Sequence, residues 1–148
     1  MSSSRRRYAG LPPGIGQRLR EERERLEMSQ EALGEALGGL SPKTIYHYEI
    51  GKSPVPSDFL DAVARVGFDV EYLIFARRPT TRSPAQVESV RKAVAWAAEF
   101  CRDPKGRPLP LGDDTVEWIV RAYEVIAPAR DEADADQVLD ELQRQRRA

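Results

Sequence analysis

Lys43, Thr44, Tyr46 and His47 stand within five residues of one another in the stretch SPKTIYHYEIG. They combine an ammonium, a hydroxyl, a phenol and an imidazole with no acid among them. Such donors suit a partner rich in acceptors. A lysine can donate to guanine O6 and N7, an imidazole can do so through a ring N–H, and a proline such as Pro42 offers only apolar contact, for instance to a thymine methyl. Other chemistries have less support. One histidine and one cysteine cannot make a Cys/His zinc site. No glycine-rich phosphate loop follows a strand pattern. Asp113-Asp114 reads as helix N-terminal charge rather than a catalytic pair. The carboxyl-terminal half has no plausible serine–lysine pairing. The expectation is a protein that is not an enzyme and carries no cofactor and no metal.

The elements that position these side chains are legible from Ser29 to Gly51. Ser29 is a good N-cap, and Ala32, Leu33, Ala36 and Leu37 form an apolar stripe at helical spacing from about Gln30 to Leu37. Gly38 and Gly39 stop that helix. Ser41 caps a second one, with Pro42 at its first position, where a missing N–H costs nothing. Ile45, Tyr48 and Glu49 fall on one face, and Lys43, Thr44 and His47 largely on the other. Two short helices joined by a glycine turn suit a helix-turn-helix, whose second helix enters the DNA major groove.

The pattern is more specific than that. S-Q-E-A-L-G-E-A-L-G followed by L-S-P-K-T-I-Y-H-Y-E-I-G-K resembles the lambda-repressor-like (Xre-type, Cro/repressor) helix-turn-helix family over about residues 14 to 78. Gln30, Gly34, Gly38, Ser41, Ile45, Tyr48-Glu49 and Gly51 carry the likeness. The family usually has one residue between Gly38 and the serine. Here Gly39-Leu40 gives two, which can shift the recognition helix. The resemblance implies an all-α, five-helix DNA-binding domain. It places Gln30, Thr44 and Lys52 on phosphates and turns Pro42, Lys43, Tyr46 and His47 towards bases. It pairs Arg23 with Glu49 as an ion pair between the first helix and the recognition helix. It also makes the fifth helix, with Tyr72 and Phe75, a place for dimer contacts. Glu27 stands where the family often has glycine, so strain is expected there.

The rest of the chain frames this domain. Residues 1–13 read as a flexible basic arm whose Arg5, Arg6 and Arg7 could neutralise phosphates or enter a minor groove. The first helix is expected over Ile15 to Leu26. Ser57 or Asp58 caps a helix through Val66, and Asp69 caps VEYLIFAR. Residues 79–83 form a linker. Residues 84–148 predict a helical oligomerisation or partner-binding extension. Its first helix runs from Pro84 to about Arg102, with Val87, Val90, Val94, Ala97 and Cys101 as a candidate seam. A second helix begins at Asp113-Asp114 and breaks at Pro128. A third runs from about Asp131 to Gln143, followed by a frayed end. Trp96 and Trp118 suit core positions better than a ligand pocket.

Composition bounds the reading. The 148 residues carry a net charge of −1, unlike a bulk-basic binder. Through residue 20 there are five arginines and no acid, whereas from Ser83 onwards 10 Lys/Arg face 13 Asp/Glu, a net of −3. A basic amino end with an acidic carboxyl end fits DNA contact on one side and another role on the other. No apolar run approaches the ~20 residues of a membrane span, and the amino terminus lacks the apolar core of a signal peptide. The expected protein is cytoplasmic and nucleoid-associated when bound. It is a sequence-specific transcription regulator, of phage, prophage or bacterial repressor type, and binds double-stranded DNA as a homodimer at an inverted repeat. The alternative is an antitoxin-like or adaptor protein whose carboxyl-terminal half binds a protein partner, with DNA binding for autoregulation.

Overall fold

Ser29, Ser41, Asp69 and Ser83 each accept a hydrogen bond from the backbone N–H three residues on, at 3.0 to 3.2 Å. Each satisfies an orphan donor and fixes where a helix begins. At Ser83 the box is reciprocal, because Gln86 Oε1 accepts the Ser83 N–H at 2.9 Å. The computed structural model describes residues 14–78 and 83–147. Its helices are α1 (Ile15–Arg25), α2 (Gln30–Ala36), α3 (Pro42–Glu49), α4 (Phe59–Val66), α5 (Val70–Phe75), α6 (Pro84–Phe100), α7 (Asp113–Ile126) and α8 (Glu132–Arg147). No strand is named among the described residues, so the chain is all-α with an amino-terminal five-helix unit and a helical carboxyl-terminal region. Arg5, Arg6 and Arg7, and the linker residues 79–82, lie outside the described residues.

The first five helices bury Leu19, Leu33, Ile45, Leu60, Val63, Leu73 and Ile74. Fully burying an aliphatic side chain of this size contributes about 1.5–3 kcal/mol, so this cluster is the main cohesive force of the unit. Between α1 and α2, Glu27 takes φ 55, a left-handed conformation that a residue with a Cβ adopts at a cost. Ala76 ends α5 in the same way, at φ 56. The fifth helix therefore stops at Phe75 and does not run through Arg77. The opposite difference occurs at the end of the chain. Residues expected to fray after Gln143 remain helical to Arg147. Arg144, Arg146 and Arg147 lie in the last turn, where cations complement the helix dipole.

The carboxyl-terminal region is joined to the amino-terminal unit through one continuous core. Helix α6 packs against both α4 and α7. The segment after α3 pairs with the segment before α7. Ser57 N donates to Leu109 O at 2.8 Å, and Leu111 N donates to Val55 O at 2.7 Å. Ser57, a candidate cap of α4, is fully buried and donates its hydroxyl to Cys101 O at 3.2 Å. Asp58 holds the N-cap position, without a side-chain cap bond. The boundary at 79–83 therefore does not separate two cores.

This joining corrects the expected seam. Val94, Ala97 and Cys101 are fully buried within the chain itself, because α4 and α7 already cover that face of α6. Only Val87 and Val90, at the amino-terminal end, keep exposure. Trp96 also belongs to the core, with its ring centroid 5.8 Å from that of Phe100 and 6.3 Å from that of Trp118.

Candidate nucleic-acid interface

Helix α3 is set by two close backbone approaches. A Cβ on Gly34 of α2 would lie 2.0 Å from Leu40 O, and a Cβ on Gly16 of α1 would lie 2.3 Å from Glu49 O. Only glycine permits contacts this short. The turn between α2 and α3 contains the extra residue. Gly38 and Gly39 take φ 88 and 100, and the N–H groups of Gly39 and Leu40 both donate to Gly34 O at 3.0 Å. Two left-handed glycines thus absorb the longer spacing before Ser41 opens α3.

The inner face of α3 is anchored by Ile45, which is buried, and by Tyr48, whose ring meets Phe59 edge-on at 5.1 Å between centroids. Burial pushes the Tyr48 phenol pKa up. Glu49 is held most firmly. Arg23 Nε donates to its Oε2 at 2.7 Å and Arg23 Nη2 to its Oε1 at 3.1 Å. Arg23 Nη1 donates to Met28 O at 2.8 Å. The hydrogen bond to Glu49 raises the Arg23 pKa further. Gln30 Nε2 also donates to Glu49 Oε1, at 3.1 Å. Gln30, expected on a phosphate, therefore has one of its two amide hydrogens engaged inside the protein.

The outer face carries the residues expected to read DNA. Pro42, Lys43 and Tyr46 are exposed, and Thr44 and His47 are half-buried. Thr44 shares a hydrogen bond with Ser41 at 2.9 Å between hydroxyl oxygens. The Tyr46 and His47 rings lie 6.0 Å apart. Lys52 is exposed in the loop after α3, and its N–H donates to His47 O at 2.9 Å. Lys43, Thr44 and His47 therefore lie away from the buried face of α3, and Lys52 follows in the loop bonded to its last turn. Tyr72 and Phe75 lie elsewhere, partly covered on α5, with the guanidinium of Arg78 4.0 Å over the Tyr72 ring.

Arg18 does not stand out in the sequence and Glu22 does so only by its helical register, yet both are buried in α1. Arg18 Nε and Nη2 donate to Leu73 O at 3.1 and 2.8 Å, tying α1 to α5. Desolvation lowers the Arg18 pKa. Glu22 accepts two bonds from Arg25 at 2.9 Å, one from Arg78 Nη2 at 2.5 Å and one from Asp69 N at 2.6 Å. Burial alone would raise its pKa. The bonds from Arg25, Arg78 and Asp69 N outweigh it and hold the carboxyl at about 2. A signal for Glu22 exists in the sequence, because it falls in the register of Ile15, Leu19 and Leu26.

Among the described residues, no helix is long and apolar enough to cross a membrane, and no group of three or more His, Cys, Asp or Glu could hold a metal ion. No curated protein and no solved structure matches the chain. Residues 15–71 match the family described as a helix-turn-helix domain, a family of the Xre or lambda-repressor-like type.

Proposed function

We propose that the protein is a sequence-specific DNA-binding transcription regulator that occupies an inverted-repeat operator as a homodimer and represses by that occupancy. The observation that carries this reading is the division of α3 into two faces. Ile45, Tyr48 and Glu49 fix one face to the fold, and Pro42, Lys43, Tyr46 and His47 line the other. Thr44, Lys52, Gln30 and the arm residues Arg5, Arg6 and Arg7 supply the phosphate contacts, which provide most of the affinity. The base-facing residues supply the selectivity.

The spacing of half-sites on DNA supports a dimer. One such domain reads a half-site, and half-sites lie about one helical turn apart on one face of DNA. Linking two domains makes the second binding event intramolecular, which raises apparent affinity by roughly 10²–10⁴. Val87 and Val90 on α6 and Tyr72 and Phe75 on α5 are the side chains from the expected interface that keep exposure. The antitoxin-like or adaptor reading has less support. The apolar stripe it would offer a partner is largely covered by α4 and α7.

Selection of duplexes from a random pool, followed by sedimentation of the complex, tests the proposal. A palindromic enriched sequence bound by two chains is expected. No enriched sequence, or one chain on a non-repeated site, would overturn it.

A further inference from the structure

The large apolar side chains exposed among the described residues are Tyr46 at 48 %, Ile50 at 54 % and Val87 at 37 %. Single exposed apolar residues are ordinary. Two of these three, however, stand four residues apart on the same helix. Ile50 caps α3 in a right-handed helical conformation, and its N–H donates to Tyr46 O at 3.0 Å. Lys43, Tyr46, His47 and Ile50 therefore follow the spacing i, i+3, i+4, i+7 that defines one helix face. That face is opposite Ile45 and Glu49, which are held inside. It alternates polar donors with apolar groups, and Lys52 lies just beyond it.

A surface of this kind needs a partner that is a polyanion and also presents apolar points. Duplex DNA meets both requirements, and its apolar feature in the major groove is the thymine 5-methyl group. Four residues of helix advance about 6 Å, close to two base steps of about 3.4 Å. We propose that Tyr46 and Ile50 each cover a thymine methyl, two base steps apart in the half-site, so that Ile50 is a specificity residue beyond the four assigned to base reading. The inference rests on the DNA-reading function proposed above.

The probe is a duplex selected by the full-length chain from a random pool. Each thymine is replaced in turn by deoxyuracil, which removes only the methyl and keeps the Watson–Crick edge. Two replacements, two steps apart, should each weaken binding about fourfold, the equivalent of one buried carbon. Ile50→Ala should remove the sensitivity at one of these positions, and Tyr46→Ala at the other. Both side chains are exposed, so melting curves should be unchanged. If Ile50→Ala weakens binding while every uracil penalty persists, Ile50 touches sugar, backbone or a second copy, and the inference fails while the DNA-reading function stands. A selected duplex insensitive to uracil at every position would likewise overturn the inference and leave the DNA-reading function in place. Failure to enrich any duplex would remove the DNA-reading function and this inference with it.

Discussion

Arg23 clasps Glu49 through both carboxylate oxygens, at 2.7 and 3.1 Å, with only 11 % and 4 % of the two side chains exposed. The pair fixes the far end of α3 to α1, and so sets the angle at which the outer face of α3 meets a partner. Removing one member leaves the other charge buried and unpaired, which costs about 3–5 kcal/mol. Arg23→Ala should therefore lower the thermal midpoint markedly. The double change Arg23→Met with Glu49→Leu should recover much of that loss, because apolar side chains of similar volume need no desolvated partner. A melting curve for Arg23→Ala that matches the parent would contradict this role.

Gly16 and Gly34 carry the two closest backbone approaches to α3 and its turn. An alanine methyl at either position would meet a carbonyl oxygen at 2.3 or 2.0 Å, so a helix must move. Gly34→Ala should cost roughly 1–3 kcal/mol by overpacking, and should weaken DNA binding more than this loss of stability explains, because the displaced element is α3. Gly106→Ala, where no atom lies within 4 Å of the added Cβ, is the control. It should show only the mild strain of a positive φ and no effect on binding. Equal DNA affinity for Gly34→Ala and the parent would contradict the positioning argument.

The buried Glu22 gives the fold an acid limit. Its carboxyl is held at about 2 in the folded chain, against about 4.3 when unfolded. A depressed carboxylate pKa stabilises fully above the unfolded value and loses that contribution as pH falls through the folded one. The contribution is on the order of 3 kcal/mol at neutral pH, lost between about pH 4.5 and 2. Glu22→Gln should be less stable at pH 7 and should show a flatter decline across that window. Thermal melts at pH 7, 4, 3 and 2.5 measure it. Parallel declines for variant and parent would show that other groups set the limit.

The shared core bears on truncation. A chain ending at Arg82 would lose α6, which covers α4, together with the partners of Val55 and Ser57 at Leu111, Leu109 and Cys101. It should melt well below the full chain or fail to fold, since exposing even two or three buried aliphatic groups costs several times ~1.5 kcal/mol. Equal melting temperatures would show the first five helices to be self-sufficient.

The sequence makes the site more legible than its supports. Serine and aspartate caps, Pro42 and paired glycines are local signals, and they locate α2 and α3 to within a residue. Arg18 and Glu22 are hidden in and beside a run of charges, REERERLE, which reads as a solvated face. Their burial depends on Leu73, Asp69 and Arg78, about fifty residues away. The stripe from Val87 to Cys101 is present as a stripe. Sequence spacing alone does not say that α4 and α7 cover most of it. Ser57 reads as a local cap because serine often is one, whereas its hydroxyl bonds a carbonyl forty-four residues on.

The central claim is that the outer face of α3 reads base edges. Its most direct measurement is the affinity of Lys43→Ala and His47→Ala for a selected duplex and for random duplex of the same length at one salt concentration. A good base contact is worth about 1–3 kcal/mol, so each variant should bind the selected duplex roughly 5- to 150-fold more weakly and random duplex nearly as well as the parent. Equal losses on both duplexes would reduce these residues to phosphate contacts and contradict the account.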